Sequence, residues 1–111
     1  MSNPEITAEQ LFELLPNYFD AAKAGDIAVT YQFDLSGPQG GTWWVKVADG
    51  KATSGKGAAE NPTTTLSADA EDYVKIATGK LNATTAFMSG KLKIKGDMNM
   101  ALKLQGLFKQ P

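Results

Sequence analysis

At residue 27 the hydrophobic period of the chain changes from helical to two, and this switch leaves few folds open. From Ile27 to Leu35 every odd position is large and apolar (Ile27, Val29, Tyr31, Phe33, Leu35), while every even one is small or polar. Successive side chains alternate across a strand, so this pattern specifies a strand with one buried face. Upstream, Leu11, Phe12, Leu14, Leu15, Tyr18, Phe19 and Ala22 recur at the spacing of one helix face over Thr7 to Lys23. Thr7 with Gln10 three residues later reads as a capping box. Pro16 is expected to kink or divide that helix, because it lacks a backbone donor and its ring crowds the preceding turn.

The period of two continues. Trp43, Val45 and Val47 share a face over Thr42 to Ala48, and Asp49-Gly50 is a two-residue hairpin signal. Lys51 to Lys56 is a weak third strand and Thr63 to Ser67 a short β-branched fourth. Helical spacing returns from about Asp69 to Thr78, with Gly79 as a stop, and again from a cap at Asn82 through Ser89. Lys91 to Lys95 alternates without fault as a fifth strand. Gly96-Asp97 then turns into a last helix, Met98 to about Lys109, capped by Asp97. The order is one helix, four strands, two helices, a strand and a helix. Hairpins followed by a helical crossover imply an α+β fold, a five-stranded mixed sheet with helices largely on one face. With 111 residues and no linker or repeat, residues 1–111 are expected to form a single domain.

Composition excludes more chemistry than it suggests. The chain has no Cys and no His, which removes thiolate nucleophiles, disulfides, the commonest general base and the commonest transition-metal ligand. All eleven basic residues are Lys, so no Arg fork exists for carboxylate or phosphate, and the net charge of −1 provides no field for nucleic acid. Asp69, Glu71 and Asp72 fall in the first turn of a helix, where the macrodipole favours them structurally. The Gly40-Gly41 and Gly55-Lys56-Gly57 runs lack the context of a phosphate loop. No metal, no cofactor and no catalytic residue is expected. No apolar run is long enough to span a bilayer, no secretory signal opens the chain and no peroxisomal address closes it, so a cytoplasmic location is expected.

The last helix carries more apolar surface than a sheet-packed helix needs. Leu107, Met100, Leu104, Phe108, Ala101, Met98 and Leu102 fill an arc of roughly 220°, against a stripe of little more than ~100° for one buried face. The surplus must meet another helix, a partner chain, the chain's own tail or a ligand. Gln105 lies inside that arc and needs a hydrogen-bond partner, either a neighbouring backbone group or a ligand's polar head. Met88, Met98 and Met100 fit either a core or a surface that accommodates varied shapes. Lys91, Lys93 and Lys95 share one face of the fifth strand, read either as a solvated edge or as a basic patch for anionic membrane.

The run Ala86-Phe87-Met88-Ser89-Gly90-Lys91-Leu92-Lys93-Ile94-Lys95-Gly96-Asp97, followed by Ala101-Leu102-Lys103-Leu104-Gln105, resembles the C-terminal part of the sterol carrier protein 2 family. Trp43 to Gly50 is similar to that family's Trp-strand and hairpin, and Asp69 to Leu81 to its helix before a Gly-Lys-Leu segment. The likeness covers essentially the whole chain, in order. It implies a five-stranded sheet with a hydrophobic tunnel between sheet and helices, and a non-catalytic carrier of fatty acid, acyl-CoA, sterol or a similar apolar ligand. Ser89 stands where some members carry a larger Gln. Periodicity and resemblance together nominate Leu15, Phe19, Phe33, Trp43, Tyr73, Ile76, Phe87, Met88, Met100, Leu104 and Phe108 as wall residues, with Gln105 as polar contact. The competing readings are a module that dimerises or docks through the same apolar surface, and an enzyme using carboxylates or Tyr.

Overall fold

The computed structural model describes residues 7–38 and 40–108. Helix α1 spans Ala8–Leu14, and its cap is reciprocal: the Gln10 N–H donates to Thr7 Oγ1 and the Thr7 N–H to Gln10 Oε1. Pro16 then divides the segment. Leu15–Tyr18 turn as a 3-10 helix with the proline at its start, where a missing N–H costs nothing. A four-residue helix α2, Ala21–Ala24, follows, capped by Asp20, which accepts from the Ala22 and Lys23 N–H groups.

Strands β1 (Val29–Ser36), β2 (Gly41–Ala48), β3 (Lys51–Lys56), β4 (Thr64–Asp69) and β5 (Leu92–Gly96) form one sheet in the order β3-β2-β1-β4-β5. The β1–β4 pair is parallel and the other three are antiparallel, so the sheet is mixed and the fold is α+β. The β2–β3 turn has positive φ at both Asp49 (55°) and Gly50 (73°), as a tight twisted hairpin demands. Helices α3 (Ala70–Ala77), α4 (Ala83–Met88) and α5 (Met98–Leu107) are capped by Asp69, Asn82 and Asp97, each accepting a backbone N–H. Helix α5 stops short of Lys109, which lies outside the described residues. Phe108 is already extended and bridges Phe19, and the Asp20 N–H donates to the Leu107 carbonyl at 2.7 Å.

The alternation read from the sequence sets the faces. Val29, Tyr31, Phe33 and Leu35 are buried beneath the helices with Trp43, Val45 and Val47, whereas Lys93 and Lys95 stand exposed on the other side. From β1 toward β5, side-chain size falls along two adjacent cross-strand rows of the buried face. One row runs Trp43, Phe33, Leu66, Ile94, and the next runs Val45, Tyr31, Thr64, Gly96. Over the bulky end sits Phe12 of α1, stacked on Trp43 (5.1 Å, 15°) and tilted against Phe33 (4.9 Å). The Ser54 hydroxyl donates to the Phe12 carbonyl at 2.6 Å and holds α1 to β3. Aromatic rings occupy that half of the interlayer. Over β4 and β5 the strands present smaller side chains, and the space beneath α3, α4 and α5 is not filled.

Candidate functional site

The unfilled half is a cavity of about 480 Å³. Leu66, Leu92 and Ile94 form its sheet-side wall, Tyr73, Ile76 and Ala77 of α3 one flank, and Met98, Ala101, Leu102 and Leu104 of α5 another. Leu81, Asn82, Ala83, Thr84 and Phe87 close it from the α3–α4 loop and α4, and Leu15 and Phe108 from the end nearest α1. Phe87, Met98 and Leu102 are exposed as well as lining, so the mouth opens between α4 and the first half of α5, beside edge strand β5.

Chemically the cavity is bland. Among the described residues no Asp, Glu or Lys lines it. The Asn82 carboxamide oxygen is engaged, capping α4 at the Thr85 N–H (3.0 Å). Among the described lining residues the one ionisable group is Tyr73, whose phenol is pushed above its ordinary range by burial and then by the Tyr31 hydroxyl. Tyr73 is 5% exposed, its ring is parallel to Phe12 at 6.0 Å, and no described residue hydrogen-bonds its hydroxyl. Tyr31 donates its own hydroxyl to the Met100 carbonyl at 2.7 Å, which ties α5 to the sheet. Its phenol is also raised, by burial first and the Asp97 carboxylate second. Among the described residues no cluster of acids could hold a metal ion, and no helix is long and apolar enough to cross a membrane. An ion placed inside this cavity would find no counter-charge, whereas a hydrocarbon would lose nothing.

Residues 8–109 match the model of the SCP-2 sterol transfer family. The chain belongs to that family. Hydroxysteroid dehydrogenase-like protein 2 of Xenopus tropicalis is 48% identical over 84 residues, covering 72% of this chain and 19% of that protein. The chain spans about a fifth of the length of the curated relatives it matches. The solution structure of the sterol carrier protein domain 2 of Helicoverpa armigera superposes with a TM-score of 0.71 at 31% identity, over 96% of this chain and 89% of that one. Palmitated SCP2L2 of Aedes aegypti gives a TM-score of 0.75 at 22% identity, over 91% and 93% of the two chains. Family and cavity together support lipid binding.

Within this SCP-2 fold the twelve nominated residues separate. Leu15, Tyr73, Ile76, Phe87, Leu104 and Phe108 line the cavity. Phe33 and Trp43 do not: they face the helices, but on the half of the sheet that Phe12 fills. Phe19 packs behind Phe108 (5.5 Å between rings) and backs the wall instead of forming it. Met100 is partly buried against the core and offers its carbonyl to Tyr31, while Met88 points to solvent at 81% exposure. The Gln105 side chain lies outside the described residues. The sequence reading passed over Leu66, Leu81, Leu92 and Ile94 as wall. Alternation with Lys91, Lys93 and Lys95 turns Leu92 and Ile94 inward, and Met98, Ala101 and Leu102 belong to the overfull arc of α5.

Proposed function

We propose that this chain is a lipid-binding domain that takes the hydrocarbon part of one lipid into the α3–α5 cavity, leaves the polar head at the α4–α5 mouth, and performs no chemistry on it. The observation that carries the reading is a mainly apolar cavity of about 480 Å³ with no charged side chain among its described lining residues, inside the roughly 300–1,000 Å³ range of small-molecule pockets. Burial of an acyl chain contributes about 0.8 kcal/mol per methylene, ample for binding once ordering costs are subtracted. The family's description as sterol transfer and the palmitate on the Aedes aegypti relative favour an acyl or sterol ligand. In longer relatives such as hydroxysteroid dehydrogenase-like protein 2, the corresponding stretch would hold a lipid for the rest of the chain.

The test is native mass spectrometry of the purified protein with analysis of an organic extract, followed by calorimetric titration with palmitate. Trp43 and Trp44 line no part of the cavity, so heat is a more direct readout than their fluorescence. Ala101, buried on the wall, offers a plug: Ala101→Phe should keep the fold and abolish the heat of binding. No bound lipid and no heat in the unaltered protein would overturn the reading, as would unimpaired palmitate binding by a folded Ala101→Phe variant.

A further inference from the structure

The polar side chains of the cavity lie at two levels. Of the described lining residues only Tyr73, Asn82 and Thr84 carry a side-chain oxygen or nitrogen. Asn82 and Thr84 are exposed, at the cap and in the first turn of α4. Tyr73 is the inner one. Its ring centroid lies 5.1 Å from that of Phe33 and 6.0 Å from that of Phe12, so it stands where the aromatic half of the interlayer ends and the cavity begins. The lip, by contrast, is formed by the exposed Phe87, Met98 and Leu102 beside β5. A lipid held with its head at that lip directs its far end toward Tyr73.

The hydroxyl at this inner level is idle. Tyr73 is 5% exposed, and no described residue hydrogen-bonds it, whereas Tyr31 donates its own hydroxyl to the Met100 carbonyl at 2.7 Å. Among the described residues no side-chain oxygen or nitrogen is both sealed off and unpartnered. The Tyr73 hydroxyl has no partner, so it is not sealed off, and the space that reaches it is the cavity this residue lines. A donor left unpaired in an apolar enclosure is costly, and a ligand oxygen placed against it removes that cost.

That oxygen is uncharged. No Asp, Glu or Lys stands among the described lining residues, so a carboxylate pushed this far in would lose its water and find no counter-charge. Burial also keeps the Tyr73 phenol protonated, and therefore a donor, throughout the neutral range.

We propose that Tyr73 is a specificity-determining residue, donating its hydroxyl proton to an uncharged oxygen at the buried end of the bound lipid. Two kinds of lipid carry one there: an acyl chain hydroxylated at its far end, with its carboxylate at the mouth, and a sterol that enters hydroxyl first. The role presupposes the lipid-binding reading and narrows it to ligands oxygenated at the inner end, since a site that pairs with a hydroxyl discriminates against the analogue lacking it.

Competition against cis-parinarate tests it with two matched pairs, 16-hydroxyhexadecanoate with palmitate and cholesterol with cholest-5-ene. The readout is the affinity of the hydroxylated lipid relative to its partner, a ratio to which general loosening of the wall contributes on both sides. Tyr73→Phe should lower that ratio roughly threefold to tenfold in one pair or both, and the pair that responds names the source of the oxygen. Tyr31→Phe, which removes a hydroxyl already bonded to Met100, should leave both ratios as they were. Ratios unmoved by Tyr73→Phe in both pairs, or moved equally by Tyr31→Phe, would overturn the role while leaving lipid binding intact. Failure of the unaltered protein to bind cis-parinarate or palmitate would overturn the lipid-binding reading, and the role with it.

Discussion

Two tyrosines show how differently neighbouring residues can serve the same wall. The Tyr31 hydroxyl is bonded to the Met100 carbonyl, while Tyr73, a cavity residue, keeps a hydroxyl that no described residue engages. Tyr31→Phe should therefore cost about 0.5–1.5 kcal/mol in urea unfolding, and Tyr73→Phe less than that, because it removes a polar group without orphaning another. Equal losses would show that the Tyr73 hydroxyl has a partner after all. At this scale the sequence is a weak guide. Phe33, Trp43 and Tyr73 all point into the layer between sheet and helices, yet only Tyr73 meets the cavity, because Phe12 occupies the space in front of the other two. Periodicity reports which side of an element faces inward; whether that side meets atoms or a void depends on a side chain tens of residues away. Met88 fails for the complementary reason, since α4 is short and its buried face is chosen by what it lands on.

Among the elements, α5 matters most, being at once a wall and a lip. It is held at three places: the Asp97 N–H donates to the Thr63 carbonyl (3.1 Å), the Met100 carbonyl accepts from Tyr31, and the Leu107 carbonyl accepts from Asp20. The Asp97 carboxylate also caps its first turn through the Met100 N–H (3.1 Å). Gly96 delivers the chain into this start at φ 98°, where a Cβ would lie 2.7 Å from the Thr63 carbonyl oxygen. Asp97→Ala should destabilise the protein by about 1 kcal/mol. It should also raise hydrogen exchange in the first turn of α5 and quicken palmitate release; exchange no faster than in the unaltered protein would show that the cap does not hold the helix start. Element types and caps were legible from local chemistry, at Thr7, Asn82 and Asp97 alike. Ends were less so: α5 stops at Leu107 because Phe108 pairs with Phe19, a contact that local sequence does not encode.

For the whole molecule, the buried phenols couple folding to alkaline pH. Tyr31 and Tyr73 are both held above the ordinary tyrosine value of about 10, chiefly by burial. The unfolded chain releases those protons first. Their contribution is thus complete below about pH 10 and is lost as pH rises beyond it toward the folded values. Unfolding by urea followed by circular dichroism from neutral pH upward should show stability falling above pH ~10, and falling less in Tyr73→Phe. An identical alkaline loss in that variant would assign the effect to other groups.

What the sequence determined by itself was everything that depends on neighbours along the chain. The switch of period at residue 27, the hairpin at Asp49-Gly50, the capping residues and the break at Pro16 set the elements, their inward faces and the α+β class. The absence of His, Cys and Arg, and the overfull last helix, followed from the same letters. Only the tertiary structure decided where that surplus apolar surface goes. Strand order sets Tyr31 and Phe33 beside Thr64 and Leu66, and then Gly96 and Ile94, so bulk runs out before the sheet does. The helices bridge that deficit at a height fixed by the bulky half. A hollow is a mismatch of volumes between residues far apart in sequence, and no local pattern records it.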